Sequence, residues 1–126
     1  MSNQIQDNMI SVSSLGDRLR ELLALEPGWY NGEGDSYSEE SLVFAQSLVD
    51  RLEPKPRIYP NPEKTNCLSF EWSFPNHEAG LDLDLDSRLG SLIVADFRTR
   101  DFRSFDLSLT NPEDIDRVND ILRSSS

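Results

Sequence analysis

The sequence contains one cysteine and one histidine among its 126 residues. Cys67 has no second cysteine to pair with, so an intramolecular disulfide is excluded. The apolar runs are only a few residues long, whereas a membrane-spanning helix requires ~20 apolar residues. Residues 1–8 lack the basic and apolar blocks of a signal peptide. We therefore expect a cytoplasmic protein.

Positive charge is also scarce. The chain has 12 Lys and Arg side chains against 23 Asp and Glu side chains, which gives a net charge of −11. Direct binding to nucleic acid requires a basic surface, and so does binding to an anionic membrane. The charge balance argues against both. It suits either simple solubility or attraction to a partner protein that has a basic surface.

Residues that carry common enzyme chemistry are few and isolated. His77 lies in a Pro-Asn-His-Glu segment that predicts a solvated turn. Cys67 is predicted to be a structural residue at the start of a strand, without a partner histidine nearby in the sequence. The sequence has no phosphate-binding glycine-rich loop, nucleophile elbow or paired zinc-ligand motif. We therefore predict no catalytic residues, no metal site and no cofactor.

The three aspartates Asp82, Asp84 and Asp86 alternate with leucines. A calcium-binding EF-hand loop that began at Asp82 would need glycine at its sixth position and glutamate at its twelfth. Ser87 and Ile93 occupy those positions. The interleaved leucines indicate a strand rather than a loop, and an EF-hand is excluded.

The length of the chain suits one domain. We expect a disordered tail at residues 1–12, a single domain at residues 13–123 and a frayed tail at residues 124–126. Apolar residues at helical spacing predict three helices, two before the strands and one after them. The predicted caps are Ser13 or Ser14 for the first helix, a capping box of Ser36 and Glu39 for the second, and Thr110 for the third.

Between the second and third helices the apolar period changes to two, which predicts strands at residues 57–59, 67–74, 81–86, 91–97 and 102–109. Flanking prolines make the first an edge strand. The fourth, apolar on both faces, is the candidate central strand. Short connections require antiparallel neighbours. The sequence thus predicts an α+β fold, an antiparallel β-meander of about five strands with two N-terminal helices and one C-terminal helix packed on one face.

One arrangement of motifs resembles a known group of proteins. A Gly-Trp-Tyr-Asn-Gly loop at residues 28–32 precedes the second helix, a proline-flanked strand at residues 56–60 follows, and Glu71-Trp72 lies near the end of the next strand. This order resembles a set of small bacterial and phage proteins of unknown function that have a Gly-Trp-Asp-Gly type loop between two helices. It covers residues 19–85, with Tyr30-Asn31 where those proteins usually have an aspartate. The resemblance implies the order of elements and a phage or mobile-element origin.

Carboxylates are predicted to gather on one face of the sheet. Alternate residues of a strand share a face at a spacing of ~7 Å, so the pattern places Asp82, Asp84 and Asp86 in one row. If the second and third strands form a hairpin, Glu71 lies near this row. The cluster is either a solvated outer face or a docking surface for a basic partner. Arginines of later strands are candidates to neutralise part of it, namely Arg98, Arg100 and Arg103.

The glycine-rich loop at residues 27–37 is the second candidate surface. Trp29, Tyr30 and Tyr37 lie in it, and tryptophan and tyrosine are common anchors of protein interfaces. We expect Tyr30 and Tyr37 to be exposed. Trp29 either joins them at the interface or, as we favour, folds back between the first two helices.

These observations favour a non-enzymatic interaction protein that binds a basic surface of a partner protein. In a phage or mobile element, the expected form is an anti-CRISPR-like inhibitor that occupies the nucleic-acid-binding surface of a host defence protein. An antitoxin or immunity protein paired with a cognate toxin is the first alternative. The second is a small hydrolase or ligand-binding enzyme that uses Glu71, His77 and Asp82. The oligomeric state stays open.

Overall fold

The computed structural model describes residues 15–126 as helices packed with an antiparallel sheet. This part of the chain forms α1 (Asp17–Leu23), α2 (Glu39–Arg51), β1 (Arg57–Pro60), β2 (Cys67–Ser73), β3 (His77–Asp84), β4 (Leu89–Asp96), β5 (Phe102–Ser108) and α3 (Pro112–Ser125). The five strands lie in the order β1-β2-β3-β4-β5, each antiparallel to its neighbour. The predicted α+β meander is confirmed. The expected tail at residues 1–12 and the caps Ser13 and Ser14 lie outside the described residues.

The first helix begins later than its apolar stripe suggests. Gly16 is the N-cap residue, and Leu15 is buried just before the helix. The Gly16 N–H donates to Gln46 Oε1 at 2.7 Å, which joins the start of α1 to α2. Leu19 and Leu22 are buried as their spacing predicts.

The caps of the other two helices differ from the predicted ones by one or two residues. Ser38 caps α2, since its Oγ accepts from the Ser41 N–H, and the expected box of Ser36 and Glu39 is not formed. Asn111 caps α3 in place of Thr110, because its carboxamide oxygen accepts from the Glu113 N–H. Clustered Ser, Thr and Asn residues offer several caps of similar strength, and tertiary packing selects among them.

The C-terminal helix continues through the segment predicted to fray. It extends to Ser125, which is buried and whose Oγ donates to the Ile121 carbonyl at 2.8 Å. The helix carries buried Ile115, Val118 and Leu122 on one face. Packing of this face stabilises the last turn, which the serine-rich composition alone does not indicate.

One face of the sheet lines the hydrophobic core and the other is open. Along β2, Leu68, Phe70 and Trp72 are buried while the residues between them are not, so the strand has a core face and an open face. On β3, Ala79, Leu81 and Leu83 continue the core. These residues join the buried stripes of the helices in one cluster. Within residues 15–126, no helix is long and apolar enough to cross a membrane.

Two strands begin earlier than predicted, and the central strand is a different one. β3 begins at His77 rather than at residue 81, since buried Ala79 extends the alternation of its leucines. The turn before it is correspondingly short. β4 begins at Leu89, and it is next to the edge, whereas β3 is central. Ile93 made β4 look apolar on both faces, but this side chain is 43% exposed.

The two hairpins that flank β4 share one turn geometry. Asp84 Oδ1 accepts from the backbone N–H groups of the second and third residues after it, and Asp96 Oδ1 does the same. Each turn then passes through an arginine with positive φ, Arg88 at 60° and Arg100 at 62°. Aspartate side chains commonly stabilise turns in this way. Each turn joins β4 to the antiparallel strand beside it.

Candidate interaction surface

Carboxylates of β2, β3 and β5 lie on the open face of the sheet. Glu71 of β2 lies opposite Gly80, and Asp82 of β3 lies opposite Ser69. Because paired residues share a face, Glu71 and Asp82 are diagonal neighbours, a relation that corresponds to ~7 Å. Glu78 and Asp84 lie on the same face of β3 by alternation. The predicted proximity of Glu71 to the aspartate row is thus observed for Asp82, whereas Asp84 shares the face but lies opposite Cys67, farther along β2.

Asp86 does not belong to this row, which corrects the sequence prediction. β3 ends at Asp84, and the backbone turns there because Asp84 Oδ1 accepts from the Asp86 N–H at 2.9 Å. The Asp86 carboxylate instead accepts from Asn66 Nδ2 at 2.8 Å. It lines a depression with Ser38 and Ser41, at the start of α2. The alternation of the sequence continues past the residue where the strand ends.

Glu78 and Asp106 were not predicted as site residues, although both lie on the open face. Glu78 lies opposite Ala95, and Asp106 lies opposite Ser91 on β5. Both side chains are exposed. β3 begins four residues before its predicted start, and this extension adds Glu78 to the open face.

Gly80 leaves a shallow depression in the middle of the carboxylates. Its volume is about 310 Å³. It is lined by Ser69, Glu71, Glu78, Ala79, Gly80, Asp82, Ile93 and Ala95. No atom lies within 4 Å of where a Cβ of Gly80 would be. The depression therefore offers carboxylates at its rim and aliphatic carbon from Ile93 and Ala95.

None of the ion pairs found within residues 15–126 involves these carboxylates. These ion pairs join Arg18 to Glu21, His77 to Asp96 and Arg123 to Asp120. Arg57 lies opposite Glu71, but its Nη2 donates to Ser73 Oγ at 2.8 Å.

The arginines expected to neutralise the row lie elsewhere. Arg103 is opposite Val94, whose side chain is buried, so Arg103 is on the core face of the sheet. Its guanidinium lies 5.7 Å from the centre of the Phe105 ring. Arg98 and Arg100 belong to the turn between β4 and β5. The prediction that these three residues offset the acidic row is wrong, because Arg103 lies on the core face and the other two lie in a turn beyond the strands.

An apolar strip borders the carboxylates on the same face. Leu89 and Ile93 of β4 are exposed, and Phe102 of β5, which lies opposite Ala95, is 71% exposed. Exposed apolar side chains that lie together indicate an interaction surface more strongly than isolated ones do. The open face therefore combines an acidic part on β2 and β3 with an apolar part on β4 and β5.

The glycine-rich loop contributes one of its three predicted aromatic contacts. Tyr30 is 53% exposed, as expected. Tyr37 is not, because it is 5% exposed and its hydroxyl donates to the Cys67 carbonyl and accepts from the Asn61 N–H. Burial raises the pKa of this phenol.

Trp29 neither fills the gap between the first two helices nor is fully exposed. It packs over Gly34, where a Cβ would lie 2.5 Å from the indole ring. Its Nε1 donates to the Asp35 carbonyl at 2.8 Å. Gly34 has φ +93°, so the loop folds around its own tryptophan through a backbone conformation that suits glycine. The favoured expectation for Trp29 is therefore wrong.

The predicted alternative enzyme site is not assembled, because His77 lies apart from Glu71 and Asp82. His77 lies in β3 rather than in a turn, on the core face near one end of the sheet, with Nε2 3.3 Å from Asp96 Oδ2. Glu71 and Asp82 are on the opposite face. Burial raises the pKa of the Cys67 thiol, and nearby Asp84 adds to this shift, which makes the thiol a weak nucleophile at neutral pH. Among residues 15–126, no group of three His, Cys, Asp or Glu side chains could hold a metal ion.

Comparisons of the chain with protein-family models, curated proteins and solved structures found no match.

Proposed function

We propose that the protein is a non-enzymatic interaction protein that binds a basic surface of a partner protein through the open face of its sheet. The observation that carries the proposal is the depression at Gly80. Glu71, Glu78 and Asp82 surround it, none of them in an ion pair with another described residue, and Ile93 supplies an apolar wall.

A lysine or arginine side chain of the partner fits this chemistry. Such side chains lay their aliphatic stems along apolar surface and keep the charged group at the polar rim. Here the stem would contact Ile93 and Ala95, and the charged group would lie among the carboxylates. The exposed Phe102 and Leu89 extend the apolar contact beyond the depression.

The form of this function that we favour is an inhibitor in a phage or mobile element. Proteins that handle nucleic acid present basic surfaces to phosphates, and a net charge of −11 would steer the protein to such a surface. Carboxylates repeated along neighbouring strands would occupy the positions that phosphates otherwise take. The partner would be a host defence protein, as for anti-CRISPR proteins.

The decisive experiment compares two triple variants with the same change in charge. Glu71→Gln/Asp82→Asn/Asp84→Asn neutralises three carboxylates of the open face. Glu26→Gln/Glu63→Gln/Asp116→Asn neutralises three exposed carboxylates of loops and of α3. Each immobilised protein is incubated with bacterial lysate at about 50 mM and about 500 mM salt, because exposed charges are screened at the higher concentration. Captured proteins are then tested for release by single-stranded oligonucleotide.

We expect the wild type and the loop variant to capture the same nucleic-acid-handling protein at low salt. The open-face variant should lose it, high salt should weaken capture, and the oligonucleotide should compete. Equal loss of capture in both triple variants would show that capture depends on net charge alone, and would contradict binding through a specific surface. Capture by all three proteins at both salt concentrations would contradict the proposal altogether.

A further inference from the structure

The first edge of the sheet is closed to further strands. β1 has four residues and ends at Pro60, with Pro56 directly before it. Arg18 of α1 donates its Nε to the Ile58 carbonyl at 2.8 Å, so this helix occupies the backbone acceptor that the edge would otherwise present. Short strands, prolines and covering elements are the usual means of blocking an edge.

The opposite edge, β5, has none of these features along most of its length. It spans seven residues without proline. The Asp101 carbonyl accepts from the Asp96 N–H and the Leu109 N–H donates to the Arg88 carbonyl, both at 2.8 Å. In an antiparallel pair, both backbone groups of a residue point to the same side. Odd-numbered residues of β5 therefore face β4, and even-numbered residues face outward.

Three outward-facing residues of β5 have free backbone groups. Asp114 Oδ2 accepts from the Ser108 N–H at 2.8 Å, which closes the end of the edge next to α3. By this alternation the N–H groups of Phe102, Ser104 and Asp106 point away from β4, and within the described residues no turn or loop backbone hydrogen bond engages them. These three residues are exposed. Each presents one donor and one acceptor to solvent, which is the pattern that an added strand recognises.

On the open face, the side chains along this edge suit a segment with basic and apolar residues, whereas Arg103 projects from the other face. Phe102, Ser104 and Asp106 all project from the open face, since they alternate with the core-facing residues of β5. An added strand would place one side chain beside the aromatic ring of Phe102 and another beside the Asp106 carboxylate. The edge is continuous with the apolar strip and the carboxylates of the open face.

We propose that an extended segment of the basic partner adds to β5 as a sixth strand of the sheet. Main-chain hydrogen bonds form at Phe102, Ser104 and Asp106. A lysine or arginine of the segment lies beside Asp106, and an apolar side chain lies against Phe102. This inference rests on the proposed function, because it takes the partner to be the same basic protein.

A second copy of this chain suits the edge less well. If two copies of β5 paired about Ser104 with their outward groups facing each other, Phe102 of one copy would lie opposite Asp106 of the other. Each chain also carries a net charge of −11, and like charges oppose association. Charge complementarity favours a basic segment over a second copy.

The test uses a synthetic peptide with blocked ends, in which valine and lysine take turns along one face and threonine fills the other, so that one face can offer valine to Phe102 and lysine to Asp106. Its binding is followed by NMR shifts and hydrogen exchange of the Ser104 and Asp106 amides. Ser104→Pro removes one outward-facing N–H, at a position where an edge strand tolerates proline, and Ser104→Ala is the matched control that keeps it. We expect about tenfold weaker peptide binding to Ser104→Pro and unchanged binding to Ser104→Ala.

A second probe keeps the test informative if Ser104→Pro does not fold. In this second probe, the peptide nitrogens that would donate to β5 are methylated. The methylated peptide keeps its charges but cannot donate these main-chain hydrogen bonds to β5. It should fail to protect the Ser104 and Asp106 amides of the wild type. Equal binding of the methylated and unmethylated peptides would overturn the inference.

The results separate this inference from the proposed function. Peptide binding that is lost in Glu71→Gln/Asp82→Asn/Asp84→Asn but kept in Ser104→Pro would overturn strand addition and leave the acidic face as the binding surface. Binding kept in both variants would overturn both proposals. A wild-type dimer that becomes monomeric in Ser104→Pro, seen by analytical ultracentrifugation, would assign the edge to a second copy and overturn the inference.

Discussion

Tyr37 joins three segments that are distant in the sequence. Its hydroxyl donates to the Cys67 carbonyl at 2.8 Å and accepts from the Asn61 N–H at 3.0 Å. We expect Tyr37→Phe to lower the free energy of unfolding by about 1–2 kcal/mol, since both backbone groups lose their partner in a partly buried site. Urea unfolding measures the change. The exposed Tyr30 provides the control, and Tyr30→Phe should change stability by less than about 0.5 kcal/mol.

Asp96 links the stability of the protein to acid pH. The hydrogen bond from the Arg98 N–H, with smaller contributions from the Thr99 N–H and from His77, holds the pKa of the Asp96 carboxyl below its ordinary value, although partial desolvation opposes this shift. When folding lowers the pKa of a carboxyl group, ionisation of that group stabilises the folded protein at pH values above the pKa that the group has in the unfolded chain. This stabilisation is lost as the pH falls through the pKa that the group has in the folded protein.

The melting temperature should therefore fall as the pH drops below about 4, and Asp96→Asn should make this fall shallower. Circular dichroism melts between neutral and acid pH measure the effect. Asp101→Asn removes a carboxylate of the same turn that accepts none of these bonds, so its profile should follow the wild type. Identical profiles for Asp96→Asn and the wild type would show that this carboxylate does not contribute.

At the scale of elements, the two hairpins around β4 carry matched strain. Arg88 and Arg100 both adopt positive φ, which costs a residue with a side chain about 1–2 kcal/mol. We expect Arg100→Gly to stabilise the protein by about 0.5–1 kcal/mol, after the added entropy of glycine in the unfolded chain is subtracted. Arg88→Gly should gain less, because the Arg88 guanidinium lies 4.2 Å from the centre of the Phe44 ring. Denaturant unfolding of the two variants gives the comparison, and a larger gain for Arg88→Gly would contradict it.

The alternation of apolar residues predicts most of the sheet, and its limits are physical. Leu68, Phe70 and Trp72 alternate with polar residues, and the structure buries all three. Alternation does not reveal where a strand ends, since Asp86 keeps the period although the hydrogen bonds of Asp84 have already turned the backbone. The burial of Tyr37 depends on partners at positions 61 and 67, which a local pattern cannot identify.

At the scale of the whole molecule, the composition predicts acidity but not its placement. A net charge of −11 follows directly from the sequence, whereas the exposed strip formed by Leu89, Ile93 and Phe102 depends on the register of β4 with β5. The candidate surface was thus predictable for Glu71, Asp82 and Asp84 of its acidic part, and not for its apolar part. The two parts share one face because Asp82 of the central strand β3 lies between Ser69 of β2 and Ser91 of β4, and Ser91 is on the same face of β4 as Leu89 and Ile93.

The unequal edges of the sheet also limit how far any assembly can grow. A fibre requires each molecule to bind one neighbour at each of two sites, so that every added copy offers a new site to the next. Here β1 cannot accept a strand, since Arg18 and the flanking prolines occupy it. Strand addition at β5, as proposed above, would therefore stop after one event and give a one-to-one complex that cannot propagate into a polymer.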